Sequence, residues 1–87
     1  MASKTTNGDR VISISVVSNI TGIEVYTLRY WETEFSHYLN PPRTPGGQRR
    51  YRPSDIQKVL VLKRLLREQM FSIAGARKYL AERGEAA

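Results

Sequence analysis

The first apolar positions of the chain indicate a short strand followed by a short helix. Residues Val11–Ser15 alternate and are rich in β-branched side chains, which is the pattern of a half-buried strand. Ser15 is suited to capping a helix over Val16–Ile20. The helix is predicted to end at Thr21-Gly22, because glycine readily adopts the left-handed conformation found at such ends.

A second helix is predicted from about residue 24 to residue 35, directly after that turn. Its apolar positions recur at helical spacing and form one stripe, made of Leu28, Trp31 and Phe35. Two short helices joined by a turn that contains glycine are typical of a helix-turn-helix unit, in which one helix holds the other in the major groove of DNA. The residues left for the front and edges of the second helix, and predicted to contact DNA, are Val25, Tyr26, Thr27, Arg29 and Tyr30.

A turn-rich stretch over residues 37–47 precedes a second alternating segment. Pro45-Gly46 occupies the two central positions that favour a type II turn, and residues 48–52 are predicted to form the return strand of a hairpin. The period of two puts Arg49 and Tyr51 on one face of that strand. The hairpin, over about residues 41–52, is predicted to be a basic wing on the DNA backbone or in the minor groove. Its predicted DNA contacts are Arg43, Gln48, Arg49, Arg50, Tyr51 and Arg52.

Two further helices are predicted in the second half of the chain. Pro53 suits the first position of a helix that runs to about Gln69, and Ser72 suits the N-cap of a helix that runs from Ile73 to about residue 83 and is stopped by Gly84. The predicted buried positions are Ile56, Val59, Leu62, Leu65 and Leu66 in the third helix and Ala76, Tyr79 and Leu80 in the fourth. The fold class is therefore mainly α with a small antiparallel β-sheet: a winged helix-turn-helix of four helices plus a hairpin wing. This domain is predicted over residues 11–84, between a disordered tail at 1–10 and a short tail at 85–87.

The distribution of charge narrows the choice of partner. The 87 residues carry a net charge of +6. Residues 43–67 alone hold eight basic side chains and one acidic one, so the whole net positive charge of the chain lies in this stretch. Such a cluster favours a polyanion, either nucleic acid or an anionic membrane surface. The membrane is the weaker alternative, because no helix pairs a basic face with an apolar one and no apolar run approaches the roughly 20 residues that span a bilayer.

The residues that would carry enzymatic chemistry are few and badly spaced. The chain has no cysteine, which removes disulfides and thiolate metal sites and fits a cytoplasmic location. His37 is the one histidine and falls in a loop, and Glu32 and Glu34 point to different sides of a helix. The glycines at 46 and 47 precede Gln-Arg rather than the Lys-Ser/Thr of a phosphate-binding loop. We therefore predict a binding protein that is not an enzyme and needs neither a metal nor a cofactor.

Three segments together resemble the DNA-binding domain of the MerR family of transcription regulators. They are ISVVSNITGI at residues 14–23, TLRYWE at 27–32 and RTPGGQRRY at 43–51, followed by Asp55. The family pattern is roughly I-x-x-x-A-x-x-T-G-V, then T-[IL]-R-[YF]-[YW]-E, then R-x-x-x-G-x-R-x-Y-x-x-x-D. The resemblance covers residues 12–80, nearly the whole predicted domain.

The resemblance implies a function and assigns roles to individual residues. Members of the family bind pseudo-palindromic promoter sites as homodimers and reshape the promoter so that RNA polymerase can use it, which makes the polymerase an indirect partner. Thr27, Arg29 and Tyr30 match the DNA-contacting part of the recognition helix. Arg43, Arg49, Arg50 and Tyr51 match the wing. The resemblance gives Glu32 a structural role, because a carboxylate there would repel phosphate unless a nearby arginine pairs with it.

The chain departs from the family pattern at several points. Glu24 stands where the family often has a small hydroxyl cap, and is a poorer cap that sits close to the expected DNA surface. Ser18 replaces the usual alanine. Met70 stands where glycine commonly ends the third helix, which predicts backbone strain or a different helix end. The loop over residues 36–42 is slightly long for the pattern.

Members usually continue into a dimerisation helix and an effector domain, whereas this sequence ends soon after its fourth helix. Two interpretations therefore stay open: a DNA-binding fragment of such a regulator, or a stand-alone architectural DNA-binding protein of the excisionase type. An alternative from a different class is a winged-helix module that binds another protein through an apolar groove. Duplex recognition requires one spatial arrangement, in which the basic hairpin and the front of the helix that bears Arg29 share a single cationic surface.

Overall fold

Four α-helices and one π-helical turn account for most of the structure, a computed structural model that describes residues 11–84. In chain order the elements are α1 (Ile14–Thr21), α2 (Val25–Glu34), α3 (Pro53–Lys63), the π-helical turn Arg64–Glu68, and α4 (Ile73–Glu82). The helices predicted from the sequence are all present, and the two predicted tails lie outside the described residues.

The strand predicted at the start of the domain is wrong, because a helix begins there instead. The Oγ atom of Ser13 accepts a hydrogen bond from the backbone N–H of Val16 and caps α1, two residues before the cap expected at Ser15. Strand pairing is reduced to one antiparallel bridge, in which Ile12 and Tyr51 exchange two backbone hydrogen bonds of 2.7 Å. A serine that satisfies the first amides of a helix competes locally with the extended conformation, and here the helix prevails.

The turn between α1 and α2 is held in place by α3. Gly22 has a φ of 77° and donates its N–H to the carbonyl of Ser18 at 2.8 Å, as expected for a left-handed helix end. The Nζ atom of Lys63 reaches across from α3 and donates to the Thr21 carbonyl at 2.7 Å. The hydroxyl of Thr21 in turn accepts from the Ile23 amide. These contacts position α2 relative to the body of the domain.

The predicted small sheet is not found in the described residues, where antiparallel pairing is limited to isolated bridges. One of these bridges joins Arg43 to Arg49 and closes a hairpin. The amide of Thr44 donates to the carbonyl of Gln48 at 2.8 Å, and the amide of Gly47 donates to the carbonyl of Thr44 at 2.8 Å. We refer to residues 42–52 as the basic hairpin.

The tip of the basic hairpin differs from the predicted type II turn. Such a turn needs a positive φ at Gly46, whereas within residues 42–52 the positive φ falls on Gly47, at 87°. The three-residue loop therefore matches a type I turn followed by a left-handed residue, a common hairpin connection. The correction matters for mutagenesis, because it moves the glycine requirement by one position.

The third helix ends irregularly, near the position where Met70 departs from the glycine of the family pattern. Its α-helical part stops at Lys63, and a π-helical turn follows in which the Gln69 amide donates to the Arg64 carbonyl, five residues back. Met70 then adopts a φ of 62°, the one positive φ outside glycine in residues 11–84. The departure at this position predicted backbone strain or a different helix end. The helix does end differently, in a π-helical turn, and a residue other than glycine takes a left-handed conformation. Ser72 caps α4 by accepting from the Gly75 amide, also as predicted.

One hydrophobic core joins all of these elements. The stripe of α2 is buried as predicted, and the loop after it adds Tyr38 and Leu39. Of the predicted positions in the later helices, Ile56, Leu66 and Tyr79 are half-buried and the others are buried. The buried apolar side chains are Val17, Ile23, Leu28, Trp31, Phe35, Tyr38, Leu39, Tyr51, Val59, Leu62, Leu65, Ala76 and Leu80.

Candidate nucleic-acid interface

The outer face of α2 presents aromatic and cationic side chains to solvent. Tyr26 is 72% exposed and Tyr30 is 52% exposed, although both are large and partly apolar. Arg29 lies between them in sequence and is also exposed, whereas Val25 and Thr27 are half-buried at the edge. Because Leu28 and the rest of the apolar stripe anchor the opposite face in the core, this outer face is held in a fixed orientation.

The inner side of α2 is tied to the basic hairpin through the carboxylate of Glu32. This side chain is almost fully buried. Its Oε1 atom accepts from Arg43 at 3.2 Å and from the Nε of Arg49, and its Oε2 atom accepts from the phenol of Tyr51. The structural role predicted for Glu32, with an arginine partner, is therefore confirmed. We refer to these four residues as the Glu32 cluster.

Three residues predicted to contact DNA belong to the Glu32 cluster, and two of them, Arg49 and Tyr51, are turned away from the outer surface. Tyr51 is fully buried, so its predicted contact with DNA is corrected to a structural role. The side chain of Arg49 is only 18% exposed and is paired with Glu32. Burial, followed by the hydrogen bond to Glu32, raises the pKa of Tyr51 well above its usual value, so that the phenol stays protonated and donates. The period of two had placed both residues on one face, and that face points inward.

The remaining hairpin residues divide into two groups. Gln48 and Arg50 are exposed and form no side-chain hydrogen bond or ion pair within residues 11–84. Arg52 is bound to the buried carboxylate of Asp55 at 2.8 Å, an ion pair that raises the pKa of Arg52. The same carboxylate accepts from the Arg52 backbone N–H at 2.9 Å at the start of α3. Arg43 is half-exposed and shares Glu32 with Arg49. Arg50 therefore carries the least compensated charge of the hairpin arginines.

The basic hairpin and α2 meet around one groove, as duplex recognition requires. A depression of about 400 Å³ is lined by Arg29 from α2, by residues 47–50 of the hairpin and by residues 13–15 at the start of α1. Three arginines line the groove. Arg49 is paired with Glu32, so the groove offers the guanidinium groups of Arg29 and Arg50 together with the amino end of a helix, which carries a partial positive charge. The hydroxyls of Ser13 and Ser15 add hydrogen-bonding groups to the groove. The sequence pattern had placed both residues in a strand.

The amino end of α2 carries an ion pair that the sequence did not indicate. Glu24 occupies the N-cap but makes no capping hydrogen bond, as expected for this residue type. Its Oε1 atom instead accepts from Arg67 of the π-helical turn at 2.8 Å. The hydrogen bond from Arg67 lowers the pKa of Glu24. These residues are 43 positions apart, and no local pattern could have paired them.

A second depression, of about 530 Å³, lies between the end of α2 and α4. It contains His37 and an ion pair of 3.6 Å between Glu34 and Arg77. Within residues 11–84, no three acidic or histidine side chains are grouped as metal ligands would be. No helix in that range is long and apolar enough to cross a membrane.

A helix-turn-helix pair whose second helix shares a cationic groove with a basic hairpin defines the class: a helix-turn-helix domain of the DNA-binding type. The sequence profile described as "MerR HTH family regulatory protein" matches residues 12–83. The chain belongs to this family, and the predicted membership is confirmed.

Three proteins illustrate the relationship. The chain is 34% identical over 74 residues to the HTH-type transcriptional repressor CarH of Myxococcus xanthus, covering 85% of this chain and 24% of that protein. It is 37% identical over 51 residues to the HTH-type transcriptional regulator TnrA of Bacillus subtilis (strain 168), covering 59% of this chain and 44% of that protein. The chain thus spans less than half the length of either relative.

A solved structure shares the fold. HiNmlR, a MerR family regulator lacking the sensor domain and bound to promoter DNA, superimposes with a TM-score of 0.68 at 25% identity, covering 79% of this chain and 53% of that one. The relatives are thus named as regulators of transcription, and the helical part of the predicted fold class is confirmed. The small sheet has no counterpart in the described residues.

Proposed function

We propose that this chain binds double-stranded promoter DNA sequence-specifically, with α2 in the major groove and the basic hairpin on the adjacent backbone or minor groove. The observation that carries the proposal is the groove shared by Arg29, the hairpin residues 47–50 and the start of α1. A phosphate group seated there would meet guanidinium groups, hydroxyls and the positive end of a helix at once. The phosphate contact would fix the register of α2 on the duplex.

The side chains proposed to contact DNA fall into two groups, one on α2 and one on the basic hairpin. On α2, the residues proposed to contact base edges or nearby phosphates are Val25, Tyr26, Thr27, Arg29 and Tyr30. On the hairpin, the residues proposed to contact the backbone are Arg43, Gln48, Arg50 and Arg52, among which Arg50 has no competing acid. Arg49 and Tyr51 act through the Glu32 cluster, by holding the hairpin against α2.

The regulatory context is proposed from the family and its members. The protein acts in the cytoplasm as a homodimer on two half-sites about one helical turn, roughly 34 Å, apart. RNA polymerase is affected indirectly, through the shape of the promoter. The name of the CarH relative and the promoter DNA bound to HiNmlR support this context.

A salt titration of binding to a labelled mixed-sequence duplex tests the electrostatic part of the proposal. Each phosphate neutralised contributes about −0.9 to the slope of log affinity against log salt concentration, so we expect a slope of roughly −3 to −6 per protomer. A slope near zero would contradict DNA binding and would favour the alternative of a protein partner.

Two variants locate the interface. Arg50→Ala is expected to weaken binding to all sequences alike and to reduce the salt slope by about 1. Lys78→Ala is the matched control, since it removes the same charge from α4 at the depression that contains His37. If the two variants bind equally well, the proposed position of the DNA on the hairpin is wrong.

A further inference from the structure

Glu24 is an acidic side chain at the point where a recognition helix enters the DNA. It occupies the N-cap of α2, with an extended backbone of φ −61° and ψ 147°, and its carboxylate does not cap the helix. In helix-turn-helix proteins the residues at the amino end of the recognition helix contact base edges. The carboxylate is about half-exposed, so a ligand can reach it.

Both side-chain hydrogen bonds to this carboxylate fall on the same oxygen. Oε1 accepts from the Nη2 of Arg67 at 2.8 Å and from the Oγ1 of Thr27 at 3.2 Å. The backbone N–H of Glu24 itself also donates to the carboxylate. The side chain is thus held from two directions, by α2 and by the π-helical turn, while about half of it stays exposed to solvent.

The charge of the Glu24 carboxylate limits what it can bind. The hydrogen bond from Arg67 lowers the pKa of Glu24, so that the group is ionised at neutral pH and can only accept hydrogen bonds. A phosphate would be repelled. In the major groove the donors are the N4 amino group of cytosine and the N6 amino group of adenine, and adenine places its N7 acceptor beside that donor.

We propose that Glu24 is a specificity-determining residue that accepts a hydrogen bond from the N4 amino group of a cytosine in the major groove. Arg67 is its positioning residue, because it holds Oε1 and thereby fixes the orientation of the half-exposed carboxylate. This inference rests on the proposed docking of α2 in the major groove. It gives the domain both a favourable contact with cytosine and repulsion against the acceptor atoms of guanine and thymine.

Selection of bound duplexes from a randomised pool, followed by sequencing, tests the proposal. The 87-residue chain is expected to enrich cytosine at one position of the half-site by about 10-fold over guanine. Glu24→Gln is expected to shift that position towards adenine, whose N6 and N7 atoms match an amide. Arg67→Ala is expected to reduce the cytosine preference without a shift to adenine. Glu34→Gln, at the other end of α2, is the matched control and keeps the wild-type profile.

The outcomes separate this inference from the proposed function. If the wild type selects sequences and Glu24→Gln selects the same ones, the role of Glu24 is refuted while duplex binding stands. If the wild type binds every duplex equally with a steep salt dependence, the role of Glu24 in specificity is refuted while duplex binding stands. If the wild type binds no duplex, both proposals fail. Thermal unfolding of each variant, followed by circular dichroism, checks that altered selection does not come from unfolding.

Discussion

Replacing Glu32 by glutamine tests whether the buried carboxylate holds the hairpin against α2. The side chain accepts hydrogen bonds from two guanidinium groups and one phenol while almost fully buried. Glutamine keeps the shape of the side chain but removes its negative charge. Its NH2 group, itself a donor, then faces the donors of the two guanidinium groups and the phenol. Arg49, whose side chain is only 18% exposed, then has no counter-charge nearby. The expected result is a less stable domain with a loosened hairpin.

The size of the effect follows from the burial of the partners. Removing one partner of a buried ion pair costs about 3 to 5 kcal/mol. We expect the lower end, about 3 kcal/mol, because Arg43 is half-exposed and water can replace part of its contact. For a domain whose total stability is of the order of 5 to 15 kcal/mol this is a large fraction. The midpoint of thermal unfolding should fall by roughly 12 to 24 °C.

Urea and thermal unfolding at neutral pH, followed by circular dichroism, measure the change. Glu34→Gln is the matched control on the same helix. Its ion pair with Arg77 spans 3.6 Å and joins a half-exposed guanidinium to a carboxylate that is 27% exposed, and a pair so near the surface is worth about 0 to 1 kcal/mol. A double-mutant cycle with Tyr51→Phe should give a coupling energy of about 1 kcal/mol or more. Equal stability of the Glu32 and Glu34 variants would refute the reasoning.

Three further predictions concern the positive φ of Met70, the positive φ of Gly47 and the ion pair between Glu24 and Arg67. Met70→Gly should stabilise the domain by about 1 kcal/mol in urea unfolding, because glycine tolerates the φ of 62° and the lost side chain is 78% exposed; an unchanged midpoint would argue against strain. Gly47→Ala should cost about 1 kcal/mol and weaken DNA binding, whereas Gly46→Ala should be tolerated, since of these two glycines Gly47 alone has a positive φ. A larger loss for Gly46→Ala than for Gly47→Ala would support the type II turn instead. An NMR titration should place the pKa of Glu24 below 4.5, and Arg67→Ala should return it towards that value. Because the pKa is lowered in the folded state, the stabilisation from this pair is present above pH 4.5 and is lost as the pH falls through the wild-type midpoint.

Local signals in the sequence predicted most of the helical framework. The apolar stripe of α2, the serine that caps α4 and the left-handed Gly22 act through neighbours within about one helical turn, so a linear pattern contains the relevant contacts. The same holds for the direction of the hairpin residues, where a period of two separated Arg49 and Tyr51 from Arg50. The strained Met70 was also visible as a departure from a pattern with glycine.

Other local signals were in competition, and only the folded structure decided between them. Residues 11–15 have strand-like side chains, but Ser13 satisfies the amides of a helix and ends the strand at one bridge. The hairpin tip allowed a positive φ at either glycine, and the pairing of Thr44 with Gln48 selected Gly47. Propensity alone differs too little between such alternatives to choose one.

Sequence patterns alone locate the helices, the accumulation of positive charge and the family of the chain. Which charges a ligand can reach depends on the folded chain. Glu32 draws Arg49 and Tyr51 inward from 17 and 19 positions away, and Arg67 binds Glu24 across 43 positions. The physical reason is that an ion pair depends on distance in space and on burial, and neither quantity is contained in the order of residues.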